Sequence, residues 1–234
     1  MTICPAPSGL TFRRAARKLT LASLFFGGIL FAAAGRLDWT MGWIFWGTLT
    51  ACMISTTLML AKRYPELLAE RLSIRPGIKK WDLYLASATA VWIPLTTIAV
   101  GALDFRWGWT QPYSGAVQAA GLLFLLSGDL IVLWAMYRNP FFSAVVRIQT
   151  DRNHHVVTGG PYRWIRHPGY LGAMLYVISI PLILNSLWAW IPVAVIEILT
   201  LVRTVLEDRT LQRELPGYAQ YAREVPYRLL PSVW

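Results

Sequence analysis

Five long apolar stretches dominate the chain, at residues 19–35, 39–61, 83–103, 114–137 and 168–202, separated by short charged or turn-forming segments. A helix needs roughly 20 apolar residues to cross about 30 Å of hydrocarbon. The first four stretches meet that length or come close. The fifth would reach roughly 52 Å as one helix at 1.5 Å per residue, too far for a single crossing. Asn185-Ser186 lies near its middle, between Pro181 and Pro192, which predicts a helical hairpin turning there. The expected fold is therefore an all-α, polytopic membrane bundle of about six transmembrane helices.

Composition agrees with that reading. Hydrophobic residues make up 56% of the chain and charged residues only 15%, too few charges for a water-facing surface. The net charge of +10 would suggest nucleic acid in a soluble protein. Here it follows topology. With an even number of spans and a basic N-terminal arm, both termini are cytoplasmic, and 20 of the 22 basic residues fall on that side, leaving Arg36 and Arg106 outside. The positive-inside rule is satisfied, and no nucleic-acid partner is expected. The location expected is a plasma or inner membrane, or the endoplasmic reticulum of a eukaryote. Trp39, Trp43, Trp107, Trp109, Trp188 and Trp190 sit near the opposite ends of the spans, where indoles anchor at headgroups. Arg13, Arg14, Arg17 and Lys18 resemble the start of a signal peptide, but the apolar stretch leads into further spans and no cleavage is expected. Cys4 and Cys52 are too few for a disulfide framework.

Outer turns are short, whereas the cytoplasmic side carries two long segments, 138–167 and 206–234, and a shorter one from Lys62 to Lys80. The last reads as an amphipathic surface helix ending at Arg75-Pro76-Gly77, its cations near anionic headgroups. Chemistry with a water-soluble partner belongs on this side. A dinucleotide Gly-rich turn, a P-loop and a Ser nucleophile elbow are all missing. The three histidines, His154, His155 and His167, share one loop. Adjacent residues point apart and no zinc motif accompanies them, so no metal site is expected.

Two groups of residues carry the candidate chemistry. In VVTGGPYRWIRHPGY (156–170), Gly159-Gly160-Pro161 forces a turn and Pro168 opens the fifth span. His167 then stands beside a helix N-terminus, whose free N–H groups suit a carboxylate or phosphate. A structural histidine in a capped loop fits these features equally well. The second group is Arg203, Glu207 and Asp208; Arg203 and Glu207 share a helix face at i,i+4. Either they form a simple ion pair or they meet a substrate and a cofactor. Tyr218, Tyr221, Pro226, Arg228 and Pro231 follow as a tail able to cover the loop.

In order and spacing, His154-His155-Val156-Val157, GPYRWIRHPGY, Arg203, Glu207-Asp208, Tyr218, Tyr221 and the closing RLLP resemble the isoprenylcysteine carboxyl methyltransferase family, and more distantly the phospholipid methyltransferases. The resemblance covers roughly residues 138–234. It implies S-adenosylmethionine bound at the cytoplasmic membrane face and a lipid-like acceptor entering from the bilayer. It further implies cofactor contacts from His154, His155, Val156, Val157, Tyr162, His167, Pro168, Gly169, Tyr170 and Glu207, with Arg203 positioning the substrate. Arg147 stands where relatives can have a glutamine contacting the cofactor, with Gln149 nearby as an alternative. Asp208 replaces the second acid of a glutamate pair. Residues 1–113 then form a basic arm and three spans, and 114–234 the methyltransferase core.

The mechanism expected is methyl transfer to a carboxylate, which is ionised at pH 7 and needs no base. Arg203 would orient it bidentately and Glu207 would hold the cofactor. Phospholipid amine or thiol methylation on the same core, an NADPH-dependent membrane reductase using Arg147, Arg152, Arg163 and Arg166, and a non-enzymatic transporter or scaffold are the rival readings. Asp129 and Glu197 lie inside spans, where a charge is costly. An inter-helix hydrogen bond from a protonated acid is the expectation for both.

Overall fold

The structure, a computed structural model, describes residues 9–73 and 77–234. Every regular element within them is helical: α1 (Gly9–Ala34), α2 (Thr40–Arg63), α3 (Pro65–Arg71), α4 (Lys80–Trp107), α5 (Gly115–Arg138), α6 (Pro168–Leu184), α7 (Trp190–Glu214) and α8 (Tyr218–Glu224). α1, α2, α4 and α5 are each long and apolar enough to cross a membrane. α6 is apolar but only 17 residues long, and α7 is apolar in its first half and charged in its second. The α6–α7 turn falls where the sequence places it. α6 ends at Leu184, and Asn185 adopts the left-handed conformation (φ 60°) that stops a helix.

The lipid-facing surface is legible in exposure. Leu21, Phe25, Leu123, Leu130 and Ile198 are exposed, an arrangement that only a hydrocarbon solvent tolerates in such number. The core joins α1, α2, α4, α5 and α6 through Leu30, Phe45, Leu49, Ile98, Leu125, Ile180 and Ile183. α5 and α6 form the closest pair because small residues meet at their crossing. A Cβ built on Gly128 would lie 2.5 Å from the Gly172 carbonyl oxygen, and one on Gly172 2.6 Å from that of Gly128. The aromatic rows differ in part from expectation. Trp107, Trp109 and Trp188 form an exposed cluster, but Trp39 is buried and stacks on Phe105 at 4.1 Å.

The segment after α2 also differs. α3 runs only over Pro65–Arg71; the expected stop at Arg75-Pro76 lies outside the described residues. Leu67, Leu68 and Glu70 are buried, so α3 packs inward instead of lying wholly on a headgroup surface. The loops after α4 and α6 are tied by a buried carboxylate: Asp104 accepts hydrogen bonds from Thr110 N (2.8 Å), the Thr110 hydroxyl (2.6 Å) and the Ser186 hydroxyl (2.6 Å). That network locks the end of α4 to the α6–α7 turn. α4 itself contains one π-helical turn, Ala88–Trp92, whose Ala90 lines the cavity described next.

Candidate active site

A cavity of about 300 Å³ lies where α3, α5, α6, α7, the 139–167 loop and α8 converge. Each residue expected at the site from sequence lines it: Arg147, His154 to Val157 and Tyr162 from the loop, His167 to Tyr170 at the start of α6, and Arg203 and Glu207 on α7. The loop reaches this position because it is stitched on both sides. Lys79 N donates to Val146 O, Arg166 N to Tyr227 O and His167 N to Arg228 O. A second groove of about 770 Å³, between α6, α7 and the C-terminal residues, is almost wholly apolar and lacks this chemistry.

Asp208 is the fixed point of the wall. It is fully buried and takes a bidentate pair from Arg166 (2.8 and 3.0 Å), with further bonds from His167 Nε2 (3.2 Å), Gln212 (2.8 Å), Tyr218 (3.2 Å) and Arg228 (3.0 Å). One carboxylate therefore joins the start of α6, the end of α7 and the tail. Arg166, read from sequence as a topological charge, is thereby a structural residue. The tail covers the loop as α8: Tyr218 and Tyr221 pack with Tyr162 and Leu215, and the Tyr221 hydroxyl donates to Tyr162 O at 2.7 Å.

The charged groups inside the cavity differ in how far they are satisfied. Glu207 accepts a hydrogen bond from the Tyr170 hydroxyl. Arg203 does not pair with Glu207 as an i,i+4 bridge. Its Nε and Nη2 meet Asp82 of α4 at 2.6 and 3.1 Å, Nη2 also reaches Ala144 O at 2.9 Å, and the guanidinium lies 5.4 Å over the Tyr170 ring. Asp82 is itself fully buried and also accepts Val146 N at 2.6 Å. Arg147 is held by Glu70 (2.7 Å) and Asp151 (2.9 Å); those bonds, Glu70 foremost, raise its pKa, and the bond from Arg147 lowers that of Asp151. Gln149 donates to Phe141 O and accepts from Arg152. His154 and His155 flank Phe141 with ring centroids 4.6 and 4.9 Å away. Burial, with His155, Arg147 and Arg152 adding repulsion, pushes His154 down to about 4.

Asp82, Glu70 and Arg71 are site residues that sequence reading missed. All three come from the N-terminal half, far from any motif. The available signal was weak: an acid in the first turn of a long apolar helix, and an Arg directly after a buried acid. Of the two acids inside spans, Asp129 meets Cys52 of α2. Glu197 has neither oxygen hydrogen-bonded among the described residues, so the bond expected for it is not formed there.

Comparison with known proteins bears on the same segment. Residues 121–213 match the model of the isoprenylcysteine carboxyl methyltransferase family. That match, over less than half of the chain, supports assignment to this family through the matched segment. Protein-S-isoprenylcysteine O-methyltransferase of Rattus norvegicus is 29% identical over 118 residues, covering 47% of this chain and 40% of the relative. The Homo sapiens protein of the same name is 27% identical over the same length. The cobalt-zinc-cadmium resistance protein CzcN of Cupriavidus metallidurans is 30% identical over 145 residues, covering 58% of this chain and 60% of the relative. The chain thus spans about 40% of the length of the mammalian relatives it matches. The family segment contains α6, most of α5 and nearly all of α7, with Arg203, Glu207 and Asp208. It excludes Asp82, Arg71 and the tyrosines of α8.

Proposed function

We propose that this chain is an integral membrane methyltransferase that uses S-adenosylmethionine to methylate the carboxylate of an isoprenylcysteine-type, lipid-like acceptor. The observation that carries the reading is that the motif residues from Arg147 to Glu207, all inside the family segment, converge on one cavity. Six spans with both termini cytoplasmic complete the proposal, α6 and the first half of α7 supplying the last two crossings. In it, 114–234 is the catalytic core and 1–113 supports it.

The donor set suits the cofactor. Glu207 is a half-buried carboxylate bonded to a neutral hydroxyl, and the aromatic side chains of Tyr170 and Phe141 line the same cavity. A carboxylate among aromatic side chains suits a cationic ligand. When bound, S-adenosylmethionine supplies an electrophilic methyl group on a positively charged sulfur. The residues of this chain bind, orient and exclude. Glu207, fixed by Tyr170, holds positive charge, while His154 to Val157, Tyr162 and His167 to Tyr170 form the walls. Arg203, held by Asp82, sets the position of the acceptor. Its Nε/Nη2 edge is committed to Asp82, which leaves Nη1 to face an incoming carboxylate. A carboxylate is already ionised at neutral pH, so positioning and exclusion of water supply the catalysis. Closure by α8 serves that exclusion.

Incubation of the purified protein with methyl-labelled S-adenosylmethionine and an N-acetyl-S-prenylcysteine tests the reading. Base-labile methyl ester is expected. Label recovered only in phospholipid headgroups from added membranes would instead favour amine methylation, and binding of NADPH but not S-adenosylmethionine by calorimetry would favour a reductase.

A further inference from the structure

Arg71, the last residue of α3, lines the cavity, and no acid among the described residues pairs with it. Nη1 donates to Phe142 O at 3.1 Å; Nε and Nη2 have no hydrogen-bond partner among the described residues, and neither is sealed from the cavity. Every other arginine at the cavity wall is neutralised: Arg147 by Glu70 and Asp151, Arg166 by Asp208, Arg203 by Asp82. The charge closest in effect to Arg71 is the Arg203 guanidinium, and desolvation together with that repulsion pushes its pKa down to about 10. The group is still cationic at neutral pH. An enclosed, uncompensated cation is costly to the fold by itself, and it becomes favourable when an anion enters.

We propose that Arg71 receives the carboxylate of the acceptor, in concert with Nη1 of Arg203. Its neighbour favours the acceptor over the donor: the charge acting on Arg71 is Arg203, assigned above to the acceptor. Arg71 ends α3, whose Leu67 and Leu68 pack with Met136 and Phe142, and it donates to the Phe142 carbonyl. Phe142 also packs with the cluster of Val156, Val157, Tyr162, Tyr218 and Tyr221, so Arg71 sits beside the loop assigned above to the cofactor. Two guanidiniums from different helices then bracket one carboxylate, and Asp82 keeps Arg203 from competing for Glu207. The inference deepens the methyl-transfer reading, on which it rests for the identity of the acceptor.

The test compares an N-acetyl-S-prenylcysteine with its carboxamide, by calorimetry in detergent, on the wild type, Arg71→Gln and Arg71→Lys, with S-adenosylmethionine titrated separately. The wild type is expected to prefer the acid by at least about tenfold, the scale of a hydrogen bond to a charged group. Arg71→Gln should bind both probes at the affinity of the amide, Arg71→Lys should keep part of the preference, and S-adenosylmethionine affinity should be unchanged in both. Arg71→Gln should also melt no lower than the wild type, since an uncompensated charge has been removed. Retention of the preference in Arg71→Gln, or equal binding of the two probes by the wild type, would overturn the proposal. A loss confined to S-adenosylmethionine would assign Arg71 to the donor's carboxylate and overturn the acceptor assignment. Preference for the acid through Arg71 without any methyl transfer would keep the anion site and sink the methyl-transfer reading.

Discussion

Arg203 and Asp82 are 121 residues apart in sequence and form a two-bond ion pair at 2.6 and 3.1 Å, with Asp82 fully buried. The pair couples α4 to α7, the helix that carries Arg203 and Glu207. Removing one partner of such a pair leaves a buried charge unanswered, typically at a cost of about 3–5 kcal/mol. Asp82→Ala is therefore expected to lower the unfolding midpoint sharply and to reduce turnover at least about tenfold. The double variant Asp82→Ala/Arg203→Met should be less destabilised than the two single variants add up to, which a double-mutant cycle in thermal unfolding would reveal.

Arg203 and Glu207 are expected to divide their work. Arg203→Ala should abolish turnover while cofactor affinity changes little. Glu207→Ala should lose both, and Tyr170→Phe, which removes the hydroxyl donor to Glu207, should weaken cofactor binding to a smaller extent. Calorimetry with S-adenosylmethionine separates the three. Full cofactor affinity in Glu207→Ala would end this assignment.

His154 gives a pH signature. Its folded-state pKa of about 4 lies below the unfolded value of about 6.5, so the unfolded chain binds the proton more readily. Stability from this group is fully present above about pH 6.5 and is lost as pH falls through 4. Thermal unfolding midpoints measured from pH 7 to 4 should fall, and the slope should be shallower in His154→Gln.

The α5–α6 crossing tolerates no side chain at its closest point. Gly172→Ala would set a Cβ 2.6 Å from a backbone oxygen, and the helices must separate to admit it. Overpacking of this kind costs about 1–3 kcal/mol. A lower melting temperature is expected, along with weaker cofactor binding, because α6 begins with the cavity residues Pro168 to Tyr170.

Loss of the Asp208 hub should free the tail. Asp208→Ala removes the partner of Arg166, His167 and Arg228 together. Limited proteolysis is expected to cut near α8 in this variant but not in the wild type, with cofactor affinity falling in parallel.

The apolar stretches, the hairpin turn at Asn185, the single cavity built from dispersed motif residues and the covering tail were all legible in the chain. They depend on local pattern: hydropathy sets where helices lie, and Asn or Pro sets where they stop. The partners of the charges were not legible. Sequence spacing suggested Arg203 with Glu207, yet Arg203 turns to Asp82, and Arg71, read as a headgroup cation, points into the cavity. Periodicity states which residues share a face of one helix. It does not state which other helix covers that face, and in a low-dielectric interior the covering helix decides where every charge is neutralised. The sequence by itself determined a helical membrane bundle and the residues of its cavity. Only tertiary packing, α4 against α7 and α3 against α1 and α2, decided that Arg203 is held by Asp82 and that Arg71 lines the cavity with no acid paired to it among the described residues.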